Sequence, residues 1–106
     1  MQPRLSLLYV TFPHEEEALK ITRDLLERRL IACANILGPI KSLYSWKGRL
    51  EESQEVAVLL KTVPEKVSEL INILQSLHSY NTPAILEIPL GQNAKPFCDW
   101  VHQEVR

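Results

Sequence analysis

The stretch Val56-Ala57-Val58-Leu59-Leu60 decides the fold. Side chains on a strand alternate between its two faces, so five successive apolar residues give a strand that is greasy on both sides. It belongs to the second arm of a long hairpin, with extended arms over 31–46 and 49–63. Lys47-Gly48 joins them, and Gly supplies the positive φ that a tight turn requires. Counting back from a two-residue turn pairs Trp46 with Arg49 and Tyr44 with Glu51. Gly38-Pro39 interrupts the first arm, and because Pro lacks a ladder donor the spacing predicts a bulge or bend on an outer edge.

The flanking sequence completes a repeating plan. Residues 5–12 are an apolar run closed by Pro13, the length and composition of a buried strand. Over 15–30, Ala18, Ile21, Thr22, Leu25, Leu26 and Leu30 recur at helical spacing, with Glu15 to Glu17 at the start and Arg28 and Arg29 at the end, matching the helix dipole. Pro64 opens a second helix whose stripe is Val67, Leu70, Ile71, Leu74 and Leu77, stopping near His78. Residues 79–83 break the pattern, 84–88 return to strand composition, and Pro89 ends that strand. Asn93 is the expected N-cap of a last helix carrying Ala94, Phe97, Trp100, Val101 and Val105 on one side.

Strand, helix, strand, strand, helix, strand is the split βαβ order, so the fold class is α+β, a ferredoxin-like sandwich (βαββαβ plus a C-terminal helix) with a long central hairpin. The two crossover helices roof one sheet face only. Leu7-Leu8-Tyr9-Val10 is, like 56–60, apolar at successive positions, so a second apolar face needs another cover. Copies of the same chain, sheet against sheet with each hairpin docked on a neighbour, answer this and also protect the long hairpin edges. Partial shielding by the final helix is the alternative.

Composition narrows the function classes. The 106 residues, 45% of them hydrophobic, suit a single domain over 1–106. Twelve Lys and Arg against thirteen Asp and Glu argue against nucleic acid or an acidic membrane surface as partner. The first residues lack a signal-peptide apolar core and every apolar run is shorter than a membrane span, so a soluble cytoplasmic protein is expected. Cys33 and Cys98 make a disulfide framework improbable in that reducing compartment.

Cys33 and His78 offer one soft sulfur and one imidazole to copper or zinc. The competing readings are a small buried thiol and a helix C-terminal dipole partner. His14 and His102 have no partner at ligand spacing. Trp46 either stacks on Arg49 or joins Tyr44 at a subunit interface or cleft floor. Glu55 and Lys61 are six apart on one strand, on the same face but about 20 Å from each other, so each needs a partner from another strand or subunit.

Several pieces in order resemble the divalent-cation tolerance (CutA) family: Arg29-Leu30-Ile31-Ala32-Cys33-Ala34-Asn35-Ile36, Tyr44-Ser45-Trp46-Lys47-Gly48, Glu55, Lys61-Thr62, and His78 followed by Tyr80 and Pro83. The resemblance covers nearly the whole chain. It implies a ferredoxin-like fold assembled as a homotrimer, similar to the PII signalling proteins, with clefts between subunits. It also implies a link to copper and other divalent metals, and in animal members to acetylcholinesterase anchoring. Of the positions ascribed to copper in some bacterial members, this chain has Val10, Leu77 and His78, so only His78 keeps a ligand. Ser79 replaces a common Pro after that His, and His14 stands where a small polar cap is usual, which predicts a looser loop and a weaker cap.

The leading expectation is a trimeric, non-enzymatic binding protein. Its clefts, near Cys33, Tyr44, Trp46, Glu55, Lys61, His78 and Tyr80, accept a small ligand or a divalent metal such as copper. A structural, partner-binding scaffold is the second reading. An enzyme using Cys33 and His78 as nucleophile and base is the third; the three glycines, Gly38, Gly48 and Gly91, form no oxyanion or phosphate loop.

Overall fold

The structure is a computed structural model that describes residues 3–106. Four strands, β1 (Ser6–Phe12), β2 (Cys33–Trp46), β3 (Arg49–Thr62) and β4 (Ile85–Pro89), form one antiparallel sheet in the order β2-β3-β1-β4. Helices α1 (Glu15–Glu27) and α2 (Val67–Leu77) are the crossovers, α2 entered through a single 3-10 turn at Pro64–Lys66, and α3 (Lys95–Glu104) ends the chain. This is the expected α+β split βαβ arrangement.

Strand register sorts the core. Leu8, Val10 and Phe12 of β1 and Val56, Val58 and Leu60 of β3 share one face and are buried beneath Ala18, Ile21 and Leu25 of α1 and Val67, Leu70 and Leu74 of α2. On the other face Leu7, Tyr9 and Leu59 are only partly covered, and Leu86 and Ile88 stand 57% and 42% exposed. The final helix shields one end of the sheet, where Cys98, Val101 and Val105 pack on Leu5, Ala32 and Val63. Elsewhere on that face Thr11, Ala57 and Glu55 are buried, while the larger apolar side chains stay incompletely covered.

Both arms of the hairpin run 14 residues, and its projection gives the chain extents of 46 × 26 × 23 Å. Lys47 and Gly48 both have positive φ, 51° and 78°, as the type I′ turn demands, and Trp46 faces Arg49 and Tyr44 faces Glu51 as counted. Leu43 and Leu50 near the tip are 73% and 89% exposed, on the side opposite Tyr44 and Trp46. Of the two readings of Trp46, stacking on Arg49 is not what the structure shows: the cation found over its ring is Lys47, with Nζ 5.9 Å from the centroid.

Three expectations at helix ends need correction. The first helix stops at Glu27, before Arg28 and Arg29: Leu30 N–H bonds the Leu25 carbonyl and Arg29 N–H that of Leu26, with Arg29 at φ 59°. This is a Schellman stop, normally built on Gly, whose C″ and C3 residues Leu30 and Leu25 are both buried. The last helix takes Ala94 in place of Asn93 as N-cap and has no side-chain cap bond. His14, expected to cap poorly, does cap: its Nδ1 accepts from Glu17 N–H at 3.2 Å. An imidazole lone pair thus does the work usual for a short hydroxyl or carboxylate.

That bond makes His14→Ala a cap deletion, expected to cost about 1 kcal/mol in urea unfolding, with His14→Asp recovering it. Equal stability of the Ala variant and the parent would show that the ring does not cap.

Candidate functional site: an aromatic and acidic cleft

Between Ile36 and Pro39 the β2 register slips by one residue against β3. Gly38, at φ 82°, takes the strained conformation of this bulge, and Pro39 lies on edge strand β2 as expected. A one-residue slip inverts every later side chain. Before the bulge odd-numbered Cys33 and Asn35 share the open face with Lys61 and Leu59; beyond it even-numbered Tyr44 and Trp46 share that same face with Glu51 and Glu55.

The inverted half of the hairpin, β1 and the loop after α2 enclose a cleft of about 730 Å³. Its walls carry four aromatic rings, Tyr9, Tyr44, Trp46 and Tyr80, and two carboxylates, Glu51 and Glu55. Hydroxyls of Thr11 and Ser42 add polar surface, and among the described residues no Lys, Arg or His lines the cleft. Glu55 is 9% exposed, and its Oε2 accepts from Tyr80 Oη at 3.1 Å. Tyr80 in turn has its phenol pushed up to about 12, first by burial and then by the bond to Glu55 and its charge. The proton therefore stays on Tyr80, and the phenol stays a donor that fixes the carboxylate.

His78 holds the loop from behind. Its ring is buried and stacked on Phe12, centroids 4.8 Å apart. Nε2 lies 2.7 Å from the Thr11 carbonyl, which only accepts, and Nδ1 lies 3.1 Å from Tyr80 N–H, which only donates. The proton therefore sits on Nε2, with both nitrogens engaged. Glu17 Oε2, 3.7 Å from Nδ1, accepts from Ser79 N–H at 3.1 Å, so the loop expected to be loose is tied to the first turn of α1.

Tyr44, Trp46, Glu55 and Tyr80, singled out from the sequence, thus meet in one cleft. Cys33 and Lys61 do not join them: they face each other at the far end of the β2/β3 ladder, where Lys61 Nζ bonds Asn35 Oδ1. Six residues of β3 separate that row from Glu55, about 20 Å. His78 lies by Thr11 and Phe12, so one chain does not bring Cys33 and His78 together. Sequence reasoning missed Tyr9 and Glu51 as cleft walls. Glu51 was within reach through its pairing with Tyr44, and Tyr9 only through the register of β1.

A split βαβ sandwich with a partly bare sheet face and a cleft beside the outer half of its hairpin defines a class of small α+β domains. Residues 6–104 match the family model of the CutA1 divalent ion tolerance protein, and the chain belongs to that family. It is 42% identical over 100 residues to a divalent-cation tolerance protein CutA of Archaeoglobus fulgidus, covering 94% of this chain and 97% of the relative. It is also 42% identical over 97 residues to a CutA homolog of Xenopus laevis, covering 92% of this chain but 64% of that longer protein. The solved structure of an Archaeoglobus fulgidus CutA, described as a periplasmic divalent cation tolerance protein, superposes with TM-score 0.93 at 41% identity, over 96% of this chain and 99% of that one. No helix among the described residues is long and apolar enough to cross a membrane.

The folded Tyr80 holds its proton more tightly than an unfolded tyrosine, which titrates near 10. Its contribution to stability is therefore complete below about pH 10 and is lost as pH rises toward 12. In a spectrophotometric alkaline titration the last phenolate should appear close to pH 12 and vanish in Tyr80→Phe. A titration that this substitution leaves unchanged at its alkaline end would remove the Tyr80–Glu55 bond from the account.

Proposed function

We propose that the chain is a non-catalytic binding protein that works as a homotrimer, taking up a small ligand or a divalent cation in clefts bordered by neighbouring subunits. The observation that carries this reading is the coincidence on one sheet face of incompletely covered apolar side chains, Leu59, Leu86 and Ile88, with the cleft that Glu55 and Tyr80 floor. Fully burying each such leucine or isoleucine contributes roughly 1.5–3 kcal/mol, so a few of them per subunit suffice to drive association. The projecting hairpin, apolar at Leu43 and Leu50 on one side and aromatic on the other, is the arm that would reach the neighbour.

The family's tie to divalent cations supports a metal as cargo, and copper is the form that Cys33 and His78 would favour. Within one chain these two lie apart and both His78 nitrogens are engaged, so such a centre needs Cys33 of one subunit beside a neighbour's loop and the loss of one His78 bond. We place this activity in the cytoplasm, where Cys33 and Cys98 persist as the free thiols they are here. A scaffold role, in which the same contacts only hold subunits together, is the competing reading.

Sedimentation should give three copies at micromolar concentration, and Leu86→Lys with Ile88→Lys should shift the protein toward smaller species. A stable, soluble monomer of the parent chain would overturn the assembly. Calorimetric titration with copper and zinc should then show binding that Cys33→Ala weakens severalfold; unchanged affinity would remove Cys33 as a ligand, and absence of any bound species after native purification favours the scaffold.

A further inference from the structure

We infer that the cleft's ligand is a small organic cation, a substituted or quaternary ammonium group on an apolar body, held by the aromatic rings and neutralised by Glu51 and Glu55. The inference rests on reading the cleft as a ligand site and names the chemistry of what enters it. Four rings, Tyr9, Tyr44, Trp46 and Tyr80, present polarisable walls, and among the described residues no Lys, Arg or His lines the cleft beside the two carboxylates; the Lys47 ammonium stands outside that lining, 5.9 Å from the Trp46 centroid. An anion would meet repulsion there and find no basic partner. A neutral apolar molecule would leave the buried Glu55 carboxylate without a counter-charge.

A bare divalent metal is also poorly served. Hard divalent ions take about six or more oxygen ligands, and among the described residues no group of three His, Cys, Asp or Glu side chains converges on a point. Copper and zinc prefer imidazole and thiolate, neither of which lines the cleft. Aromatic faces do little for a strongly hydrated small ion, whereas a weakly hydrated organic ammonium gains from both the ring quadrupoles and the carboxylates.

A separate observation points the same way. The Trp46 ring already attracts an ammonium from its own chain, Lys47 Nζ at 5.9 Å from the centroid. The Tyr80 bond serves this chemistry too: its proton is committed to Glu55 Oε2, which fixes the carboxylate in the cleft wall as an ionic partner.

The test uses the intact oligomer carrying Trp100→Phe, so that Trp46 is the remaining tryptophan. Phenyltrimethylammonium, uncharged tert-butylbenzene, anionic benzoate and zinc are each titrated at constant ionic strength, reading Trp46 fluorescence. Phenyltrimethylammonium should bind at least about tenfold more tightly than tert-butylbenzene, and benzoate should not bind. Glu51→Gln, an exposed and conservative change, should weaken the ammonium by about fivefold and leave tert-butylbenzene unaffected. Trp46→Phe, followed by calorimetry, should weaken it less than Trp46→Leu. Binding of benzoate, tert-butylbenzene or zinc with no preference for the ammonium would overturn this inference while leaving the cleft a ligand site. Silence of Trp46 toward all four would overturn both.

Discussion

One inserted residue in an edge strand governs which side chains line the cleft. Pleating assigns side chains to faces by parity, and without the slip between Ile36 and Pro39 the rings of Tyr44 and Trp46 would project on the side of Leu50, and Leu43 would turn to the open face in their place. With it, they join Tyr9 and Glu55 on the open face. Gly38 accommodates φ 82° with no atom within 4 Å of where a Cβ would stand, so its role is conformational and not one of close approach. The bulge therefore acts at a distance: it touches nothing in the cleft, yet it decides which residues are there.

The second constraint runs from a helix to the same cleft. Glu17 of α1 accepts from Ser79 N–H, His78 bridges the Thr11 carbonyl and Tyr80 N–H, and Tyr80 Oη reaches Glu55 on β3. Each bond joins a different element, so α1, β1, the loop and the hairpin are tied together around one carboxylate. A buried imidazole with both nitrogens paired is worth more to the fold than to a metal, because removing either partner leaves a polar atom without solvent. Helix α1 is held at its other end by the Schellman stop, where Arg29 keeps a left-handed backbone and its carbonyl accepts from Arg106 N–H.

Much of this was legible in the residues themselves. Element order, the Lys47-Gly48 turn, the pairing of Trp46 with Arg49 and the position of the bulge all follow from local rules of spacing and backbone freedom. What local rules did not reveal is the consequence of the bulge, since parity is counted from a register that depends on where the slip falls. Cys33 falls out of the cleft for that reason, about 20 Å away along β3, whereas Glu51 follows from its pairing with Tyr44 and Tyr9 only from the register of β1 on β3, neither of which the bulge touches. The caps were misread because Arg29 and His14 are uncommon in their positions: a buried Leu25–Leu30 contact makes the Schellman stop hold without Gly, and an imidazole lone pair can replace a hydroxyl.

The open face thus carries two chemically different regions on one sheet. At one end Cys33, Asn35 and Lys61 form a polar row with a soft thiol and a cation; at the other lie carboxylates and aromatic rings. Leu7 and Leu59 lie beside the polar row, level with Lys61 and Asn35, and Ala57 stands between it and Glu55; all three are apolar. In a lone protomer the two ends are too far apart for any small molecule to feel both, and Coulomb interaction across about 20 Å of solvent is largely screened. Bringing them within reach of each other takes a second copy laid sheet to sheet, the same step that covers Leu86 and Ile88. The apolar middle and the polar ends are therefore parts of one problem: association driven by the first determines whether the cation of one subunit comes to border the acidic cleft of the next. A cleft that stays acidic in the assembly selects cations; one closed off by a neighbour's Lys61 is already neutralised and serves only as a joint.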